Sequence, residues 1–285
     1  MPPHPDARAA RGRLPSFIAV GPQRTATTWL HLRLADHANL PEGVNEPLFF
    51  DDHYDKGIDW YLAHFAHADP GRPTGEIAPT YFHSREACAR IGQWMPHCRI
   101  VCSLRDPVAR LYSLYRMMSG YGMTSVSFEE TLEREPFMRE SSRYAHHLTR
   151  WFETFGRDRT LVVLHDDLKR DPQRYLDEVC GFIGLPPIPI AEAERGTPER
   201  ETPARFPAAS RIVWRTANAL RSRRLYGVVS TGRALGLRRL FVGGGRDLPP
   251  IDPATAARLR DWLLPEMEAL ERLIGRDLSA WKIGR

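Results

Sequence analysis

Short apolar runs alternate with amphipathic stretches along this chain. Phe17-Ile18-Ala19-Val20 is an unbroken apolar run ahead of Gly21, the pattern of a strand buried on both faces. Residues 27–35 follow with Trp29, Leu30, Leu32 and Leu34 and predict a helix. The same order recurs at 99–105, another apolar run. Asp106 suits an N-cap there and Pro107 the first helical position, and the helix continues through Leu111, Leu114 and Tyr115. A third strand is predicted at 160–165, and Asp171-Pro172 again opens a helix, with Tyr175, Leu176, Val179 and Phe182 along it. This repeated alternation predicts an α/β fold: a P-loop-like parallel β-sheet flanked by helices on both faces, one domain spanning residues 16–285.

Two regions break the pattern. Residues 186–207 contain six prolines, so 186–210 is expected to be a long loop or lid. Residues 211–240 mix Arg with apolar residues, and Gly243-Gly244-Gly245 makes 241–252 a glycine-rich loop. Residues 253–274 predict a helix with Leu259, Leu263, Leu270 and Leu273 on one side, interrupted near Pro265. Residues 1–15 are polar, with no apolar segment of the secretory type, and are expected to be a flexible leader. No apolar run approaches the roughly 18 residues a membrane span needs, so the expected location is cytoplasmic.

Composition narrows the class. With 42% hydrophobic and 26% charged residues the chain is neither disordered nor membrane-embedded. Cys88, Cys98, Cys102 and Cys180 form no CxxC pair and are expected to be free structural thiols. The formal charge of +5 favours anionic ligands without naming one. The basic residues are scattered, and no recognised helix or stacking module points to nucleic acid. His and carboxylate residues are not clustered at ligand spacing, so no metal is expected.

Gly21-Pro22-Gln23-Arg24-Thr25-Ala26-Thr27-Thr28 lies between the first strand and the first helix. Backbone N–H groups in such a turn point at an anion, and the helix dipole favours its charge. Arg24 adds a cation, and Thr27 and Thr28 add hydroxyls. The turn lacks the Gly-Lys-Ser/Thr ending of nucleotide triphosphatases.

This turn, continued through Trp29-Leu30, resembles the 5′-phosphosulfate loop of sulfotransferases that use 3′-phosphoadenosine-5′-phosphosulfate (PAPS). Further segments resemble the heparan sulfate branch of that family. They are Asn45-Glu46-Pro47-Leu48-Phe49-Phe50-Asp51, Gly57-Ile58-Asp59-Trp60-Tyr61, Glu76 to Phe82, Leu104-Arg105-Asp106-Pro107 with Ser113, Gly245-Arg246 with Ile251-Asp252-Pro253, and Gly275 to Trp281. Each is modest alone; their order and spacing make the resemblance specific. The chain departs from the family in having Arg24 for a usual Lys, Ala26 for a usual Gly, and Ile77, Leu48 and Gly244 for a Lys, a His and a Lys. Arg and Lys are not equivalent at a phosphate, and Ala at a position needing positive φ is strained.

The resemblance implies PAPS as sulfuryl donor, without a metal. It places Gly21, Gln23, Arg24, Thr25, Ala26, Thr27 and Thr28 at the 5′ end of the donor, and Arg105 and Ser113 at the 3′-phosphate. Eight residues separate Arg105 from Ser113, so the helix returns Ser113 toward the same side. Gly245 and Arg246 are expected to fold over the nucleotide. Glu46 is the implied general base, with Arg24 stabilising charge on the leaving group. Asp51, Phe50 and Tyr81 are the candidates for acceptor contact. His31, His53, His146 and His147 are weaker candidates for the base. The expected acceptor is a hydroxyl or amine of a small molecule, glycan or lipid. Two other readings stay open: a kinase using His165-Asp166-Asp167 at a Mg²⁺ site, and an inactive nucleotide-binding protein.

Overall fold

The computed structural model describes residues 12–191 and 248–283, with positions 10, 212 and 216 standing alone. Residues 192–211, 213–215, 217–247 and most of 1–11 lie outside, so the expectations for the leader, most of the 186–210 loop, the Arg-rich stretch, Gly245 and Arg246 fall outside the described residues.

Four parallel strands form one sheet in the order β2-β1-β3-β4, with β1 Phe17–Val20, β2 Gly75–Ile77, β3 Arg99–Leu104 and β4 Thr160–Leu164. The pairing is set by Ile18↔Glu76 and Ile18↔Ile100 around the central β1, and by Cys102↔Val162 between β3 and β4. Helices follow in chain order: α1 Thr27–Leu34, α2 Ile58–Leu62, α3 Arg85–Trp94, α4 Pro107–Gly120, α5 Phe128–Arg134, α6 Pro136–Glu140, α7 Tyr144–Phe155, α8 His165–Arg170, α9 Pro172–Ile183, α10 Pro253–Ile274 and α11 Ser279–Ile283.

Strand alternation sorts the core into two layers. Phe17, Ala19, Val101 and Val163 point to one face, where Trp29, Leu30 and Leu34 of α1 and Tyr175, Leu176, Val179 and Ile183 of α9 pack on them. The other face carries Ile18, Val20, Ile100 and Cys102, all buried, and α7 packs against β3 and β4 with α3 beside it. Leu148, Trp151 and Phe155 of α7 recur at three- and four-residue spacing, which explains why it settles there.

Contacts divide the chain into two compact units where the alternation predicts one domain. The first takes Met1–Asp106, Arg143–Thr197 and Leu264–Arg285 and holds the whole sheet; the second takes Pro107–Ser142 and Pro198–Leu263. Within the second, the buried Arg110 of α4 donates to the Met138 carbonyl and to the hydroxyls of Ser141 and Ser142 (3.2, 3.0 and 2.6 Å).

One strand goes unannounced by the sequence, and one expectation needs correction. β2 is a strand that the apolar pattern does not announce: three residues with a carboxylate at the centre. Helix α10 also runs unbroken through Pro265. A proline there costs about 3 kcal/mol. Leu263, Met267 and Leu270, each at most 2% exposed, outweigh it at about 1.5–3 kcal/mol apiece. The four cysteines are free and buried, as expected. No described helix is long and apolar enough to cross a membrane.

Candidate active site

The carboxyl ends of β1, β3 and β4 carry Arg24, Arg105 and His165 respectively, the edge at which open α/β sheets bind ligands. The turn after β1 is set by close packing. A Cβ on Gly21 (φ +137°) would lie 2.3 Å from the Ser103 carbonyl oxygen, so only glycine lets β1 and β3 approach there. The buried Thr25 hydroxyl donates to the Pro22 carbonyl (3.0 Å), and the Ser103 hydroxyl donates to the Thr25 carbonyl (2.6 Å), with Tyr175 behind it (3.2 Å). The Thr25 hydroxyl thus closes the turn and is not a free donor.

Arg24 and Ala26 both have positive φ (79° and 73°), and Thr25 between them does not. Such alternation turns successive N–H groups toward one point, a concavity suited to an anion. It leads straight into α1, whose first N–H groups have no partner within the helix. Thr27 is buried and Thr28 exposed at that end. The strain expected at Ala26 is therefore real: the residue is left-handed at the α1 N-cap and makes no side-chain cap. Ala26→Gly is expected to stabilise the fold by about 1 kcal/mol, the approximate cost of a left-handed non-glycine residue less the added flexibility of the unfolded chain. Urea unfolding of the two proteins checks it.

Arg105 donates to the Arg24 carbonyl (3.2 Å), and its own carbonyl accepts from Tyr144 (3.0 Å). Burial, then the Arg24 charge, lower its pKa. Its Nε is buried with no hydrogen-bond partner among the described residues. His165 is held neutral: burial first, then Arg105, Lys169 and Arg24, push its pKa down to about 3. Its Nδ1 is likewise buried without a partner. Cations gathered in a desolvated recess with orphaned donors are unfavourable alone and become favourable around an anion.

A second cluster surrounds β2. The segment from Pro41 to Asp52 is irregular and is anchored at its start by Asn39. The Asn39 amide donates to the Asp69 and Arg72 carbonyls (2.8 and 3.0 Å). Leu48 has positive φ (54°), and its carbonyl accepts from the N–H groups of Asp52 and His53 (both 3.0 Å). This tight turn drives Phe49 and Phe50 inward, where Phe49 stacks on Tyr61 (centroids 4.9 Å apart) and Phe50 meets Tyr61 and Tyr81 edge-on. From α3, Arg90 donates to the Phe50 carbonyl (2.7 Å).

Glu46 is exposed as a residue, but its carboxyl end is crowded. Burial of that end, then the Asp51 charge, push its pKa up to about 7. Asp51, raised chiefly by burial, accepts from the Thr80 hydroxyl (2.6 Å). Beneath them Glu76 is fully buried and accepts from Tyr61 (2.7 Å) and Tyr81 (3.0 Å). Those two donors favour its ionised form, yet burial wins, and with Asp51 and Glu46 nearby its pKa rises to about 8. A carboxyl raised from 4.5 to about 8 on folding keeps a proton that the unfolded chain releases. Its contribution to stability is therefore lost as pH rises between those values, by up to about 1.4 kcal/mol per pH unit. Glu76→Gln is expected to flatten that decline, seen as a stability gain over the wild type in urea unfolding that grows from pH 5 to pH 8.

The structure thus brings Gly21, Arg24, Thr25, Ala26, Thr27, Thr28 and Arg105 to one strand edge, and Glu46 and Asp51 to one loop. Phe50 and Tyr81 are fully buried, and Tyr81 is engaged by Glu76 and the Phe50 N–H, so they support the loop from below and offer an acceptor no surface. Ser113 is half-buried on α4, within the second unit. Among the alternative histidines, His147 is buried on α7 and His31 is held low by burial. The carboxylates available to a kinase metal site are committed. Asp167 takes a two-point bond from Arg276 (2.7 and 2.8 Å), and Asp166 accepts from Trp281 (2.6 Å). Sequence reasoning missed Glu76 as a site residue and gave His165 only to the metal site of the kinase reading. For Glu76 the available signal was its place beside Tyr81 in a matched segment.

Fold and site together define an α/β protein with a four-stranded parallel sheet and a turn of alternating φ leading from its first strand into its first helix. Residues 14–195 match the family model of the sulfotransferase domain, and the chain belongs to the sulfotransferase family. It is 32% identical over 200 residues to human bifunctional heparan sulfate N-deacetylase/N-sulfotransferase 3, covering 61% of this chain and 23% of that protein. It is 27% identical over 215 residues to the Caenorhabditis elegans N-deacetylase/N-sulfotransferase 1, covering 69% of this chain and 25% of that one. The chain spans about a quarter of the length of these relatives. In structure it matches a sulfotransferase from Alicyclobacillus acidocaldarius with a TM-score of 0.66 at 21% identity, covering 94% of this chain and 99% of that one.

Proposed function

We propose that this sulfotransferase moves the sulfuryl group of PAPS to a hydroxyl or amine, with Glu46 as general base. The observation that carries the donor assignment is the pairing of Arg24 with a desolvated Arg105 whose Nε has no partner among the described residues, beside a turn of alternating φ. A ligand with anionic groups at two ends suits such a recess. When bound, PAPS supplies an activated sulfuryl group whose departure leaves negative charge on the 5′-phosphate.

The chain's own residues fit that need. The N–H groups opening α1 and the Arg24 guanidinium take up charge at the 5′ side, where preorganised donors act without reorganisation. Arg105 reads the 3′-phosphate with a planar, always charged group. Glu46 holds both protonation states near neutral pH because its pKa lies at about 7. It is thus able to take an acceptor proton and release it afterwards.

The acceptor is proposed to be a small molecule, glycan or lipid, and the location cytoplasmic. Ile77 and Leu48 replace polar residues of the heparan branch, and Ile77 is buried, which disfavours a long anionic chain as acceptor. Incubating the purified protein with ³⁵S-labelled PAPS and a panel of sugars, phenols, amines and lipids, then reading each product for the mass of one added SO₃, tests the reading. Absence of any labelled product, together with no affinity for adenosine 3′,5′-bisphosphate, would sink it.

A further inference from the structure

The loop carrying Glu46 and Asp51 has no regular structure, yet its groups must hold a fixed direction if Glu46 is the base. What holds it is a buried polar knot. Glu76 sits on β2, paired in register with Ile18 of the central strand, and is fully enclosed. Its Oε2 accepts from Tyr61 of α2 and its Oε1 from Tyr81 of the 3₁₀ turn Pro79–Phe82. The Tyr81 oxygen in turn accepts the Phe50 N–H (3.2 Å), and the Tyr61 ring stacks under Phe49. Both tyrosines are fully buried, so neither hydroxyl has water as an alternative partner. A carboxyl group on a rigid strand is thereby linked, through two phenols, to the backbone and rings of residues 49–50, three and four positions beyond Glu46.

We propose that Glu76 is a positioning residue: through Tyr61 and Tyr81 it fixes the Phe49–Asp51 turn and so aims the Glu46 carboxyl. This rests on the reading of Glu46 as general base. Among the described residues, five groups act on Glu76. Tyr61 comes from α2, Tyr81 from the 3₁₀ turn, Cys98 from the segment before β3, and Asp51 and Glu46 from the loop. None of these described groups is a cation, and Glu76 meets them through hydrogen-bond direction. Its role also explains why an enclosed carboxyl is kept on a strand that an apolar residue would pack more cheaply.

The test uses the full chain labelled with [5-¹³C]glutamate, with the Glu46 signal assigned by its loss in Glu46→Gln. In the wild type the Glu46 carboxyl is expected to titrate well above the ordinary glutamate range. In Glu76→Leu, and in Tyr81→Phe should the first variant not fold, its midpoint is expected to fall by at least one pH unit as the loop loosens and water reaches the carboxyl. Glu76→Gln, whose amide can accept from one phenol and donate to the other, is expected to keep the wild-type midpoint. Calorimetry with adenosine 3′,5′-bisphosphate is expected to show unchanged affinity in all three. An unchanged Glu46 midpoint in folded Glu76→Leu or Tyr81→Phe would overturn the proposal. So would a midpoint shift accompanied by loss of nucleotide affinity, which would reduce Glu76 to general support of the fold. Failure of the wild type to bind the nucleotide would strike the donor reading instead, because the Glu46 signal is followed without ligand.

Discussion

Glu46→Gln is expected to lower sulfuryl transfer by about 10²–10⁴-fold, the usual contribution of a positioned general base, with nucleotide affinity nearly unchanged. The substitution keeps shape and removes only the capacity to take a proton. Its surroundings make the measurement clean. Among the described residues the Glu46 carboxylate makes no ion pair or hydrogen bond, and the charge acting on it is that of Asp51. Among the described residues no partner is orphaned by the change. The pH dependence gives a second handle. With a pKa near 7, the ionised, active form of Glu46 grows as pH rises through neutrality, and the wild-type rate is expected to rise with it and then level off. In Glu46→Gln that acid limb is expected to disappear from the residual activity. Equal turnover in the two proteins would remove Glu46 from the role, and Asp51, raised by burial and bound to Thr80, would become the next candidate.

Much of this arrangement is legible in the sequence, and the parts that are not have physical reasons. β1, β3 and β4 show as apolar runs because most of their residues are buried, and Gly21 marks the turn after β1 and Asp106-Pro107 the start of α4. β2 does not show, because Gly75-Glu76-Ile77 carries no periodicity; it becomes a strand through its register with Phe17, Ile18 and Ala19. The turn after β1 is legible down to its strain, since an alanine where glycine is usual announces the positive φ at Ala26. The loop's supports are not. A glutamate in sequence reads as a surface residue, and only the converging phenols reveal Glu76 as interior. The same holds for Phe50 and Tyr81. Their aromatic character suits acceptor contact equally well, and burial alone decides against it. His165 is hidden for the opposite reason: it ends an apolar run and resembles the last residue of a strand, whereas it opens α8 beside two arginines.

Arg105→Ala is expected to weaken binding of adenosine 3′,5′-bisphosphate by about 10–100-fold, the range for losing a charge-assisted contact of about 1.5–3 kcal/mol. Adenosine 5′-phosphate, lacking the second phosphate, is expected to lose far less, and calorimetry on the two nucleotides separates the cases. The fold is expected to survive. The Arg105 guanidinium is desolvated and repelled by Arg24, so removing it relieves as well as breaks contacts; among the described residues what is lost is one bond to the Arg24 carbonyl and the weaker attraction of Tyr144, Asp106 and Asp166. The same variant carries an internal check that needs no ligand. His165 is held down by burial and then by the charges of Arg105, Lys169 and Arg24. Deleting the first of those charges must raise its pKa, though burial keeps it below the ordinary histidine value. An imidazole titration followed by proton NMR is expected to show that rise. Salt provides the matching control: added chloride is expected to weaken the bisphosphate more in the wild type than in Arg105→Ala, because one fewer charged contact remains to be screened. Equal losses for both nucleotides would show that Arg105 serves the turn and not the 3′-phosphate. A His165 titration left where it was would show that the two side chains do not share one recess.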